Sequence, residues 1–283
     1  MTEATAAGAG AGVYATVGPL RMWYDDRGQR SPVVLLHGGL MTVDATFGSA
    51  VGRLAERHRV IAVELQGHGH TPDIDREFSH DHLADDVAGL LAVVGVERAT
   101  VVGFSLGGMV GLALAMRHPG VVSGLVLASV PYRPDGYHQQ LSDFDRDPHA
   151  SRMPTEADFA AMREGFRAVA PDPDAFDAIA ERLSAMVGAY AGWSQDDMRS
   201  LAVPTMVLVG DHDFVRSDHA VAMQELIPGA QLAVLPGATH MEVTRRHDQL
   251  VALLDPFLDA VAAGLAFRGD AAVLARVQPG AAG

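Results

Sequence analysis

The chain has no cysteine. Disulfides, thiolate-bound zinc and a cysteine nucleophile are therefore excluded, and cysteine usage says nothing about the redox compartment. Basic residues are in deficit, with 21 Lys and Arg against 35 Asp and Glu and a formal charge of −14. That balance repels phosphate backbones and offers no basic stripe, so nucleic acid is not expected as a partner. At long range it also disfavours anionic substrates, which leaves a neutral or apolar small molecule as the better fit. Long hydrophobic runs are missing too. The apolar stretch from Val121 to Pro131 is interrupted by Ser123 and Gly124 and is too short to span a bilayer. The start, Met1 to Gly12, has neither the basic nor the apolar part of a secretory leader. The expectation is a soluble, cytoplasmic protein.

What is present is ample apolar material: 48% of 283 residues, enough for a substantial core without staples. Val13 to Val17 and Leu20 to Tyr24 flank Gly18-Pro19 and predict a hairpin, with a turn around Asp25-Asp26-Arg27-Gly28. Continuous apolar runs follow at Val33–Leu36, Val60–Val63, Thr100–Val102, Leu125–Leu127 and Met206–Val209, with a shorter one at Gln231–Leu235. Such runs are expected of parallel strands covered on both faces. Helical patterns lie between them, clearest where Leu83, Val87, Leu90, Leu91 and Val94 share a face, with Ser79 as cap and Gly95 as stop. Strand and helix alternate. This predicts an α/β fold, a doubly wound and mostly parallel sheet whose chemistry collects beyond the carboxyl ends of its strands.

The alternation breaks between Tyr132 and Ser200. Helix starts are expected at Thr155 with Asp158, at Asp172-Pro173, and at Ser194 with Asp197. The division expected is a flexible start over 1–12, a core of 13–131 and 201–265, an inserted helical cap over 132–200, and a flexible tail over 266–283. Apolar cap residues such as Phe144 and Met162 pack in the simplest case, yet some must line the space between cap and core. Candidate substrate contacts are Phe104, Met162, Tyr190 and Trp193, each equally compatible with packing.

The most informative stretch is Gly103-Phe104-Ser105-Leu106-Gly107, between a β-branched run and a small-residue helical pattern. A serine at the apex of a strand-turn-helix needs strained backbone angles, and the flanking glycines let strand and helix pass closely, which pushes the hydroxyl out as a nucleophile. A plain Gly/Ser turn is the competing reading. A serine also needs a base, itself oriented by a third group. His240 lies in the loop after Gln231–Leu235, and Asp211 and Asp213 lie directly after Met206–Val209.

The order serine, acid, histidine, together with Leu36-His37-Gly38-Gly39, Gln66-Gly67-His68-Gly69 and the Ser105 elbow, resembles the α/β-hydrolase family from about Leu20 to Leu265. The resemblance implies Ser105 as nucleophile, His240 as general base and then acid, and an aspartate orienting the imidazole. Asp213 is preferred over Asp211, which would hold the loop, and Glu64 is left outside the triad. The amide of Leu106, at a helix start, is one expected oxyanion donor, and the family places the other at Gly39 or at Leu40. The run His37-Gly38-Gly39-Leu40 lacks a third glycine, which disfavours lipase activity. His37 is expected to shape this loop and His68 to brace a turn. His68-x-His70 and His80-x-His82 lack the spacing that puts two metal ligands on one helix face, so neither a metal nor another cofactor is expected.

The implied activity is hydrolysis of a small ester or lactone through an acyl-enzyme, with water as second substrate. Serine at position 105 excludes the dehalogenase and epoxide-hydrolase branches, which use aspartate. Carbon-carbon bond hydrolysis ranks second, because the Ser-Gly-Pro-Gly type loop of those enzymes is absent. Thioester hydrolysis and perhydrolysis use the same triad. Outside enzymology, the resemblance extends to ligand-sensing receptors of this fold.

Overall fold

The computed structural model describes residues 12–138 and 152–265. The expectations for the two termini fall on 1–11 and 266–283, outside the described residues, as does Phe144. Eight strands form one sheet: β1 (Val13–Val17), β2 (Leu20–Arg27), β3 (Pro32–Leu36), β4 (Arg59–Val63), β5 (Ala99–Phe104), β6 (Val122–Ala128), β7 (Thr205–Gly210) and β8 (Gln231–Leu235). Their order is β1-β2-β4-β3-β5-β6-β7-β8. β1 and β2 pair antiparallel, β2 lies antiparallel to β4, and all later pairs are parallel.

The second strand corrects one expectation. The acidic stretch read as a turn continues β2, with Asp25 opposite Ala62 and Asp26 opposite Ile61. The carboxylates are accommodated because cations meet them. Asp26 accepts two hydrogen bonds from Arg59, at 3.1 and 2.7 Å, and Asp25 pairs with Arg27 at 2.5 Å. The cross-strand pair with Arg59 and the same-strand pair with Arg27 override the turn preference of Asp-Asp.

Helices flank the sheet: α1 (Val43–Phe47), α2 (Ser49–Ala55), α3 (His80–Val93) and α4 (Leu106–Arg117) in the first half. α3 begins as its sequence predicts, with the Ser79 hydroxyl accepting from the His82 amide, and Gly95 follows it at φ +69°. α4 follows β5 after a single residue. Val33, Val34, Val101, Val102, Leu125 and Val126 are buried to within 1%. At the roughly 1.5–3 kcal/mol that burying one such side chain contributes, these central strands anchor the rim on which the candidate site sits.

Between β6 and β7 the described residues form α5 (Glu156–Val169), α6 (Phe176–Gly188) and α7 (Gln195–Ser200). α5 and α7 start on reciprocal capping boxes, Thr155 with Asp158 and Ser194 with Asp197. α6 starts later than Asp172-Pro173 suggests, because Asp172 instead accepts from the Asp174 amide in a local turn. α6 passes over the carboxyl ends of β3 and β4. A Cβ on Gly67 would lie 2.8 Å from Ile179 Cδ1, and one on Gly39 would lie 3.7 Å from Leu183 Cδ1. α8 (Ser217–Leu226), α9 (Glu242–Arg245) and α10 (His247–Ala262) complete the chain.

Candidate active site

Ser105 sits between β5 and α4 at φ +52°, ψ −116°, a conformation costing a non-glycine residue about 1–3 kcal/mol. Its surroundings impose it. The Ser105 amide donates to Ala128 O at 2.8 Å, and its carbonyl accepts from Gly108 and Met109, both at 3.0 Å. A Cβ on Gly103 would strike the backbone of Gly107, and one on Gly107 would strike the carbonyls of Leu36 and His37. Both glycines are therefore demanded by backbone contact, as the sequence reading expects. From Ala99 to Ala115 only Ser105 is not buried. The apex alone reaches the surface of this strand-helix unit.

Two later strand ends meet beside it. Asp213, fully buried after β7, accepts from His240 Nδ1 at 2.8 Å, with His240 itself 4% exposed. The same carboxylate accepts from the Val215 amide at 3.0 Å and the Ser129 hydroxyl at 2.5 Å. Burial alone pushes Asp213 up, but the facing imidazole and these hydrogen bonds outweigh it and hold the carboxyl below its usual range. The imidazole is fixed between rings: Phe214 stacks on it at 3.9 Å and 25°, and Phe104 lies 4.7 Å away at 39°. Since Phe104 precedes Ser105 in the chain, the ring of His240 lies against the elbow. Among the described residues no hydrogen bond joins Ser105 Oγ to His240, a looseness common in unliganded sites.

Asp211 occupies a different place. Its carboxylate accepts from His212 Nδ1 at 2.8 Å and the Ala238 amide at 3.2 Å, while its own amide donates to Leu235 O at 3.1 Å. The imidazole of His212 and the amides of Gly237 and Ala238 pull it down to about 2. It ties the loop after β7 to the loop carrying His240 and does not contact that imidazole. Glu64 accepts from the amides of Val43 and His70 and from His70 Nδ1 at 2.8 Å, bracing two turns away from His240.

The loop after β3 is shaped by His37. Its Nδ1 donates to Gly38 O at 2.8 Å and its Nε2 accepts from the Leu65 amide at 3.0 Å, which fixes one neutral tautomer. Gly38 to Met41 then forms a turn closed by Met41 N to Gly38 O at 3.2 Å, with Leu40 at φ +60°. Gly38, Met41 and Gly107 spend their amides on Thr46 Oγ1, Gly38 O and His37 O. Those of Gly39, Leu40 and Leu106 have no partner among the described residues. Gly39 and Leu106 face each other, since a Cβ on the former would lie 3.8 Å from the Cβ of the latter. Leu106 also opens α4, whose dipole favours negative charge there.

Burial, with His68 beside it, lowers His37 to about 3. An unfolded imidazole takes its proton near 6.5, so between those values the unfolded chain binds more protons than the native one. Native stability is complete above about 6.5 and declines as pH falls toward 3, by about 1.4 kcal/mol per unit for this one group. Thermal unfolding midpoints measured from pH 8 to pH 4 should fall along this slope, and a His37→Asn variant should show a flatter one.

The four candidate substrate contacts separate. Tyr190 and Trp193 line a cavity of about 650 Å³ between the start of α3 and the end of α6. Phe104 is buried against His240, and Met162 is buried on α5, outside that lining. His68 braces a turn as expected, its Nδ1 bonded to Gln66 O at 2.9 Å. Among the described residues no group of three or more His, Asp or Glu is placed to hold a metal ion. No described helix is long and apolar enough to cross a membrane.

Three further residues at the site carry weaker signals in the sequence, or none. Ser129, at φ +57° directly after β6, buttresses Asp213, and its signal was a polar residue closing an apolar strand run. Phe214, which faces His240, adjoins Asp213 in the chain. Arg152 donates to the carbonyls of Asp211 and Asp213, both at 3.1 Å, and nothing in its sequence neighbourhood announces that contact.

Comparison with known proteins agrees with this architecture. The family model described as alpha/beta hydrolase fold matches residues 31–243. The chain belongs to the α/β-hydrolase family. Among its members, the non-heme chloroperoxidase CPO-A1 of Kitasatospora aureofaciens is 27% identical over 244 residues, 78% of this chain and 89% of that protein. The 2-hydroxymuconate semialdehyde hydrolase of Pseudomonas putida is 27% identical over 261 residues, 82% of this chain and 89% of that one. In three dimensions a thermophilic esterase from Thermogutta terrifontis matches 89% of this α/β-hydrolase and all of its own chain, with a TM-score of 0.71 at 24% identity.

Proposed function

We propose that this α/β-hydrolase is a serine hydrolase of small, neutral or apolar esters or lactones, working through an acyl-enzyme. The observation that carries the reading is the buried Asp213–His240 pair, its ring held between Phe104 and Phe214 beside the one accessible residue of the elbow. Ser105 Oγ attacks the carbonyl carbon while its proton passes to His240 Nε2. The negative charge on the former carbonyl oxygen is met by the amides of Gly39 and Leu106, fixed donors of a kind typically worth about 3 kcal/mol each. The carbon–oxygen bond to the alcohol then breaks as His240 returns the proton to it. In a lactone that alcohol stays tethered. Water next attacks the acyl-enzyme, its proton going to His240 and thence to Ser105 as the acid leaves. Asp213 remains a carboxylate throughout, orienting the imidazole and stabilising its cation.

A fluorophosphonate tests this assignment. It should label the protein once, on Ser105, and abolish turnover of p-nitrophenyl butyrate in proportion. No labelling, or labelling at another residue, would overturn the assignment. The likeness to the Pseudomonas hydrolase supports a second reading, carbon-carbon bond hydrolysis with the same three residues. A panel of esters, lactones, thioesters and ring-cleavage dienoates separates the two by relative kcat/KM. Turnover of any of them at enzymatic rates argues against a ligand-sensing role.

A further inference from the structure

The cavity between α3 and α6 is close to the size of small-molecule sites, which typically run to roughly 300–1,000 Å³. Its wall is a cluster of rings. His80 and Tyr190 lie 5.4 Å apart at 65°, Tyr190 and Trp193 5.5 Å apart at 65°, and His80 and Trp193 6.2 Å apart at 57°. The cluster is held in advance of any ligand. Tyr190 spends its hydroxyl on Pro131 O at 3.1 Å, and the Trp193 amide donates to Tyr132 O at 2.8 Å. The edge-to-face angles match the geometry in which aromatic rings attract one another.

The charges on the cavity wall select against anions. Its carboxylates are Glu77 and Asp81, and its one guanidinium, Arg182, is already bonded to Asp73 and to Arg76 O and lies 4.1 Å over the Phe78 ring. Burial lowers His80 to about 4, so it adds no cation at neutral pH. The cavity also has a structural link to the loop after β3. Leu183 of α6 sits against Gly39, and Met186, one turn further along the same helix, lines the cavity.

We propose that this cavity recognises a neutral aromatic ring, as the remote part of a substrate whose scissile bond lies at Ser105. The proposal deepens the serine-hydrolase reading and rests on it for its kinetic arm, whereas its binding arm needs no turnover. In the Ser105→Ala protein, calorimetric titration should show saturable binding of 2-naphthol and at least tenfold weaker binding of 2-naphthoate. His80→Ala and Trp193→Ala, each added to that background, should weaken 2-naphthol binding tenfold or more, while Trp193→Phe, which keeps a ring, retains most of it. In the protein with Ser105 intact, the ratio of kcat/KM for 2-naphthyl acetate to that for ethyl acetate should fall at least tenfold in His80→Ala and Trp193→Ala. Absence of 2-naphthol binding, binding indifferent to both alanine variants, or 2-naphthoate binding as tightly would overturn the pocket. Normal binding with an unchanged selectivity ratio would overturn its link to the substrate. Failure of all turnover with binding intact would sink the hydrolase reading and leave the pocket standing.

Discussion

Ser105→Ala should lower kcat for p-nitrophenyl butyrate by about 10⁵–10⁶-fold while leaving the thermal midpoint within a few degrees of the parent. The two halves of that expectation have separate causes. On the proposed mechanism, removing the hydroxyl removes the attacking group, and what remains is electrostatic stabilisation by the amides of Gly39 and Leu106, residually worth roughly 10³–10⁴ over water. The backbone is untouched, because the hydrogen bonds that hold the positive φ run through the Ser105 amide and carbonyl rather than its side chain. Alanine carries the same Cβ into the same strained angles. Steady-state rates set beside a far-UV CD melt would check both halves. A variant retaining more than a tenth of the parent rate would mean that another group forms the covalent bond.

The framework that positions this serine was legible because it depends on features with a short range in sequence. Fully buried parallel strands are written as continuous apolar runs, and the glycines at 103 and 107 are dictated by one local close approach. The Ser79, Thr155 and Ser194 caps likewise depend on residues three apart. One error arose where a distant partner decided the outcome. Asp26 sits in a strand because Arg59 of β4 meets its carboxylate, which the local pattern cannot reveal. The same limit applied at the site. His240 and Asp213 were readable from their loops, but Ser129, from a third strand end, and Arg152, from the segment between β6 and β7, meet Asp213 only through the fold. The ring cluster around His80 joins residues more than a hundred positions apart, so Tyr190 and Trp193 were nameable while their shared cavity was not.

The contrast between the two aspartates of Gly210-Asp211-His212-Asp213 gives the second large effect. Asp213→Asn should cost about 10³–10⁴ in kcat, whereas Asp211→Asn should cost less than about tenfold. In the first variant the surrounding hydrogen bonds dictate how the amide sits. Asp213 Oδ1 accepts from both His240 Nδ1 and the Val215 amide, so the asparagine carbonyl oxygen must take that position. Its NH2 group then turns to Ser129 Oγ, which gives up donating and accepts instead. The imidazole keeps its tautomer and orientation. On the proposed mechanism, what is lost is the negative charge that stabilises the imidazolium as Ser105 gives up its proton, in a place too buried for water to replace it. The loss should therefore fall on kcat and leave KM nearly unchanged. Asp211, bonded to His212 and the Ala238 amide, affects His240 only by steadying the loop that carries it, and its asparagine can still accept the Ala238 bond. Equal losses from the two variants, or a larger loss at 211, would reverse the assignment of the acid.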